Sequence, residues 1–137
     1  RDEPGCTLPA LQENTIRRIA EILGPSVPVV YKNPVDGAAG AFLPKPFHDI
    51  SEAVLEDPSV DALLAIFCEH KNWIYPSDVL IELAGQFDKP IVACFIGSIR
   101  KIEPDRSRLH QAGVPTYVLP EDAALGMRAL LRRIIPK

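Results

Sequence analysis

The sequence predicts a single α/β domain: a three-layer α/β/α sandwich around a mostly parallel sheet of about four strands. Three observations predict it. Two short runs, Val60 to Phe67 and Ile91 to Ile96, are almost continuously apolar, as strands covered on both faces are. Segments with helical spacing alternate with the strands at the period of βαβ units with right-handed crossovers. The third is composition: 137 residues, 47% hydrophobic and 24% charged, suit one globular domain over 1–137 that needs no staples.

The elements follow in order. From Ala10 to Leu23 the apolar positions Leu11, Ile16, Ile19, Ala20 and Leu23 recur at helical spacing, with Arg17, Arg18 and Glu21 opposite. Gly24-Pro25 stops that helix. Val27 to Tyr31 reads as a short strand that tolerates Pro28 at its start or on an edge. After Pro44 and Pro46 a helix is expected from His48 to Glu56, ended by Asp57-Pro58-Ser59. The Val60 to Phe67 strand follows. A helix from about Pro76 to Phe87 opens on Pro76-Ser77-Asp78, residues suited to a helix start. Strand Ile91 to Ile96 leads through Gly97-Ser98 to a helix expected over Pro104 to Ala112 and closed by Gly113. Thr116 to Leu119 is a last short strand. Pro120-Glu121-Asp122 then begins the final helix, Ala123 to Ile135, with its acids at the positive helix end. The result is a small doubly wound, flavodoxin-like arrangement.

Charge and composition exclude several classes. A formal charge of -3 and a pI near 5.6 argue against nucleic acid or an anionic membrane as partner. The pairs Arg17-Arg18, Arg100-Lys101 and Arg132-Arg133 are isolated. The apolar run Ala62 to Cys68 is far too short to span a bilayer, and the start shows no signal-peptide pattern. Cys6, Cys68 and Cys94 have no ligand-like spacing; Cys68 and Cys94 read as small core residues, and so sparse a count suits the cytoplasm. The opening Arg1-Asp2-Glu3-Pro4, without methionine, reads as a piece of a longer polypeptide.

Candidate chemistry gathers at the loops after strands, which a parallel sheet brings to one edge. These loops are Asn33 to Gly40, Cys68 to Ser77 and Gly97 to Arg100. In the first, Pro34 keeps Asn33 out of the helical region, and Gly37 and Gly40 permit positive φ or close approach to a ligand. Helix N-termini at such an edge suit an anion, which makes Asn33, Asp36, Gly37, Gly97 and Ser98 the candidate phosphate-binding residues. A well-formed turn with Asp36-Gly37 at its tip is the competing reading. His48, His70 and His110 form no HxH, HExxH or Cys/His grouping, so no metal site and no catalytic residue is assigned. The strong phosphate cradles GxxxxGK[ST] and GxGxxG, and the hydrolase motif GxSxG, do not occur.

The order of several short motifs resembles a known family. They are Leu8-Pro9-Ala10-Leu11 with Thr15 and Leu23, Asn33-Pro34-Val35-Asp36, and the run Leu55-Glu56-Asp57-Pro58-Ser59-Val60-Asp61-Ala62-Leu63-Leu64. Lys89-Pro90-Ile91-Val92, Ala112-Gly113-Val114-Pro115-Thr116-Tyr117 and Pro120-Glu121-Asp122-Ala123 complete the set. Together they resemble the flavodoxin-like ligase domain of the ADP-forming (NDP-forming) acyl-CoA synthetases, relatives of succinyl-CoA synthetase, over nearly the whole chain. The resemblance implies a domain of a ligase that joins a carboxylic acid to coenzyme A at the expense of ATP, through an acyl phosphate and a phosphohistidine. It implies CoA and ATP/ADP with Mg for the intact enzyme, but no cofactor held by this chain. The implied partners are CoA-binding, phosphohistidine and ATP-grasp domains in the same chain or a partner subunit, with a homo-oligomer also open. The family's phosphorylated histidine lies in the preceding domain, and none of His48, His70 or His110 stands in a matching context. Where relatives carry a Gly-Gly turn, this chain reads Cys68-Glu69-His70-Lys71. Asn33 would donate to a phosphate oxygen, while Asp36 would cap backbone N–H groups, because two anions repel. The alternatives are a synthetase-like regulatory domain of a protein acetyltransferase and a flavodoxin-like interaction domain without catalysis.

Overall fold

In the computed structural model the described residues are 6–25, 31–38, 43–69, 74–97 and 99–134. Helix α1 (Glu13–Leu23) and helix α2 (Pro44–Glu56) precede strand β1 (Leu63–Cys68). Then come α3 (Ser77–Gln86), β2 (Ile91–Ile96), α4 (Ile99–Gln111), β3 (Thr116–Tyr117) and α5 (Pro120–Ile134). The strands lie in the order β1-β2-β3, all parallel, with Leu63 beside Ile91 and Ala93 beside Thr116. The α/β architecture expected from the alternating pattern is therefore present, with three strands among the described residues. The expected strand Val27 to Tyr31 falls almost wholly on 26–30, outside them.

Burial explains the layers. On one face of the sheet, Ala65 and Phe67 of β1 and Ile91, Ala93 and Phe95 of β2 pack with Leu80 and Leu83 of α3, Ile102 and Leu109 of α4, and Leu55 of α2. The opposite face buries Val92 and Cys94 under Ala123 and Met127 of α5. Helix α2 has a second apolar side, Ile50, Ala53 and Val54, which receives Leu11 and Ile19 from α1 and its lead-in. Helix α1 is thus an outer layer resting mainly on α2.

Three boundaries differ from expectation, each for a physical reason. Helix α2 begins at Pro44, because its first-turn N–H groups have no intrahelical acceptor and proline there loses nothing. The first helical bond is Phe47 N–H to Leu43 O at 3.0 Å, just past Pro46. Helix α4 starts at Ile99, ahead of Pro104, which sits in its interior and offers no N–H to the carbonyl of Arg100. Ile102 lies before that proline and is buried, so packing of the first turn outweighs the broken bond. Strand β1 is not covered on both faces: Ala65 and Phe67 are buried, while Ile66 is 50% exposed and Cys68 is exposed. Helix α5 shelters β2 and leaves the end of β1 uncovered, so Cys68 is not the core residue its apolar neighbours suggest.

The polar scaffold centres on Asp57, which is 1% exposed. Its Oδ2 accepts the N–H of Gln12 at 2.9 Å, its Oδ1 accepts the N–H of Ser59 at 2.9 Å, and the Ser59 hydroxyl donates to it as well. Burial pushes this carboxyl up, but the hydroxyl and amide of Ser59, the amide of Gln12 and Thr15 together bring it down to about 2. Lys89 Nζ donates to the carbonyls of Leu55 (2.6 Å) and Asp57 (2.8 Å), capping the end of α2. One turn therefore ties the start of α1, the end of α2 and the approach to β2.

Candidate functional site

The carboxyl ends of β1 and β2 form the rim on which a parallel sheet places its sites. The rim stands on an aromatic cluster. Phe67 stacks on Phe95 with ring centroids 5.1 Å apart, and Tyr75 meets Phe95 edge-on at 4.9 Å. Phe47 of α2 closes on Phe67 at 5.3 Å. The rings fix the strand ends, and Glu69 N–H extends the ladder by donating to Ile96 O at 2.7 Å.

Gly97 follows with φ 126°, a conformation side chains rarely adopt. A Cβ placed there would lie 2.4 Å from the Glu69 Cβ and 2.8 Å from its carboxylate Oε2. The glycine is needed twice, for its backbone angle and for the acidic side chain lying on it. Glu69 also acts on Tyr75: burial first, then the charges of Glu69 and Cys68, raise the Tyr75 hydroxyl. On the α5 side, burial and then Cys68 and Glu121 push the Cys94 thiol up, which leaves it a poor nucleophile.

The loop after α1 is anchored elsewhere. Asn33 Nδ2 donates to the carbonyl of Pro9 at 3.2 Å, across a cis Asn33–Pro34 peptide bond. Asp36 Oδ1 accepts the N–H of Ala38 at 2.9 Å, the local capping expected of it. Gly37 is buried, and the positive φ of the loop falls on Ala38 (46°) rather than on Gly37. Tyr31 and Val35 pack with α1 and α2. Among the described residues Asn33 and Asp36 spend these hydrogen bonds on Pro9 and Ala38, and none joins either of them to Gly97. Ser98, Gly40 and His70 lie outside the described residues.

The other histidines have structural partners. His48 sits between Asp49 (3.3 Å) and Glu82 (3.8 Å), where α2 meets α3. His110 Nε2 lies 3.0 Å from the Thr116 hydroxyl and accepts the Thr116 N–H at 3.3 Å. Among the described residues no group of three His, Cys, Asp or Glu could hold a metal ion, and no helix is long and apolar enough to cross a membrane. A shallow cavity of about 180 Å³ opens beside β3, floored by Phe95 and Ile102 and flanked by Arg106, Thr116 and Asp122.

Glu69 is the residue that sequence reasoning passed over. Its signal was a lone acid directly after an apolar strand, in the place where a glycine turn was expected.

No family model matches the chain. A curated protein of Pyrococcus furiosus does: the alpha subunit of acetate–CoA ligase [ADP-forming] II is 31% identical over 142 aligned positions, which take in 96% of this chain. The chain is a relative of the ADP-forming acyl-CoA synthetases. It spans 29% of the length of that ligase subunit, so the similarity is that of one domain-sized portion. A synthetase relative with three parallel strands flanked by helices agrees with the flavodoxin-like architecture expected from the sequence. In this synthetase relative the strand-end turn carries Cys68-Glu69, and Glu69 lies against Gly97.

Proposed function

We propose that this chain is a domain of an ADP-forming acyl-CoA synthetase, an enzyme that converts a carboxylic acid, CoA and ATP to acyl-CoA, ADP and phosphate. The observation that carries this reading is the near end-to-end alignment with the acetate–CoA ligase subunit. The chain supplies part of the wall around a phosphate or phosphohistidine and surfaces for neighbouring domains; the reacting histidine and the CoA and ATP sites belong to the other domains, in the same polypeptide or a partner subunit. No catalytic residue is assigned to it.

The residues fit an anion unevenly. Asn33 has a second amide hydrogen beyond the one given to Pro9, and Gly37 keeps side-chain bulk out of its loop. At Gly97 an anion would meet the Glu69 carboxylate unless that side chain swung away. The Asn33 to Gly37 stretch is therefore the better candidate wall. The described residues offer no cluster for Mg, which we place with the nucleotide in another domain.

The test uses the intact enzyme containing this chain. Formation of ADP that depends on both CoA and a short-chain carboxylate is expected, and its absence with every carboxylate tried would overturn the assignment. Gly37→Val in that enzyme is expected to lower kcat/KM at least tenfold, a larger loss than its effect on melting temperature accounts for. A melting temperature that falls in step with activity would make the loop purely structural.

A further inference from the structure

The shallow cavity beside β3 has opposite charges on its two rims that do not neutralise each other. Ile102 and Arg106, about one turn apart, line it from α4. Thr116, Tyr117 and Val118 form its wall, and Asp122 reaches it from the first turn of α5. The floor is apolar: Phe95 and Ile102 are buried, and Val118, 36% exposed, adds an apolar side. A volume of about 180 Å³ holds roughly six waters, or an amino acid the size of valine or leucine.

The polar groups around it have capacity to spare. Arg106 pairs only with Glu103 among the described residues, on its own helix at 3.6 Å. An exposed pair of that length is worth little and leaves most of the guanidinium N–H groups for a carboxylate. Asp122 has no ion-pair partner among the described residues. His110 Nε2 accepts the Thr116 N–H at 3.3 Å, so that nitrogen carries no proton of its own. The Thr116 hydroxyl, 3.0 Å from the same nitrogen, therefore gives its hydrogen to the ring and keeps its lone pairs for a donor.

A ligand with a single charge fits such a cavity badly. An anion on Arg106 would stand near the Asp122 carboxylate, and a cation on Asp122 near the Arg106 guanidinium. In either case one rim charge would lose water without gaining a partner. A small zwitterion satisfies both rims at once. We propose that the cavity binds a free α-amino acid with a branched aliphatic side chain. Its carboxylate lies on Arg106, its ammonium on Asp122 and the Thr116 hydroxyl, and its side chain over Phe95, Ile102 and Val118. The inference stands on this cavity and is independent of the ligase reading.

The test titrates the 137-residue chain with L-leucine at neutral pH and follows the NMR signals of its backbone amides. Shifts should centre on Thr116, Val118 and Asp122 and saturate with a Kd no weaker than about 5 mM. Isocaproate lacks the amino group, isoamylamine the carboxylate and glycine the side chain. Each should bind at least about tenfold more weakly than leucine. Arg106→Gln should reduce leucine to the affinity of isoamylamine, and Asp122→Asn should reduce it to that of isocaproate. Both are rim side chains outside the buried core clusters, so thermal melts should show both variants folded. The proposal is overturned by an absence of shifts at those amides with about 10 mM leucine. Isocaproate or isoamylamine binding as tightly as leucine would overturn it too, as would unchanged leucine affinity in either folded variant.

Discussion

Replacing Asp57 by Asn removes the charge at the centre of the scaffold and leaves the shape of the side chain almost unchanged. The carboxylate accepts two backbone N–H groups and the Ser59 hydroxyl while 1% exposed, so solvent screens it little. Asn can serve only one of the two amides, and its own NH2 would face the other donor. The magnitude follows from linkage. The group falls from 3.8 when unfolded to about 2 when folded. At about 1.4 kcal/mol per unit, the ionised form stabilises the fold by roughly 2 to 2.5 kcal/mol. A depressed folded pKa means that this contribution is complete above the unfolded value of 3.8 and is lost as pH falls from there toward 2. Urea unfolding of the native chain and Asp57→Asn between pH 7 and pH 2 checks it. The stability gap should be about 2 kcal/mol near pH 6 and should narrow through the acid range. A gap below about 0.5 kcal/mol near neutrality, or one that stays constant down to pH 2, would refute the reasoning.

Gly97→Ala should lower stability by about 1 to 3 kcal/mol, from the positive φ and the clash with Glu69 together. Adding Glu69→Ala should not restore it, because the closest atom is the Glu69 Cβ, which alanine keeps; thermal melts of the three variants decide. Gly126→Ala would gain about 1 kcal/mol of helix propensity on an open surface. Here it should destabilise, because the new methyl would stand 2.1 Å from the Tyr117 hydroxyl and 2.5 Å from its ring. Combining it with Tyr117→Val should reverse the sign of the helix substitution, and a double-mutant cycle with no coupling between the two sites would contradict this packing.

The parts of the fold that were legible in the sequence are those set by local chemistry. Gly24, with φ 70°, ends α1 where Gly24-Pro25 indicated, and Ile91 to Ile96 is a strand with the expected limits. Pro44 and Pro104 misled because the rule against proline in helices depends on position and on packing, and one chain position does not reveal either. Ile66 and Cys68 misled for a different reason. Periodicity reports that both faces of β1 are apolar, but whether a helix covers the second face depends on where α5 lands. At the candidate site, the turn at Asp36 was readable because its hydrogen bond spans two residues. The contact of Glu69 with Gly97 joins the ends of two strands 28 positions apart, and nothing in either segment announces it.

Helix α1 lies outside α2, and its anchors reach far along the chain: Gln12 to Asp57, Ser59 to the carbonyl of Ala10, Asn33 to Pro9, and Arg18 to Glu52 and Glu56. Most of these anchors end on a carboxylate. The helix can therefore detach as a unit without parting β1, β2 or β3, in the manner of a subglobal opening. Its release would expose the Ile50, Ala53 and Val54 side of α2 while the β2 core still stood. The species so formed would be a sheet-bearing core with a loose leading arm, sticky along α2.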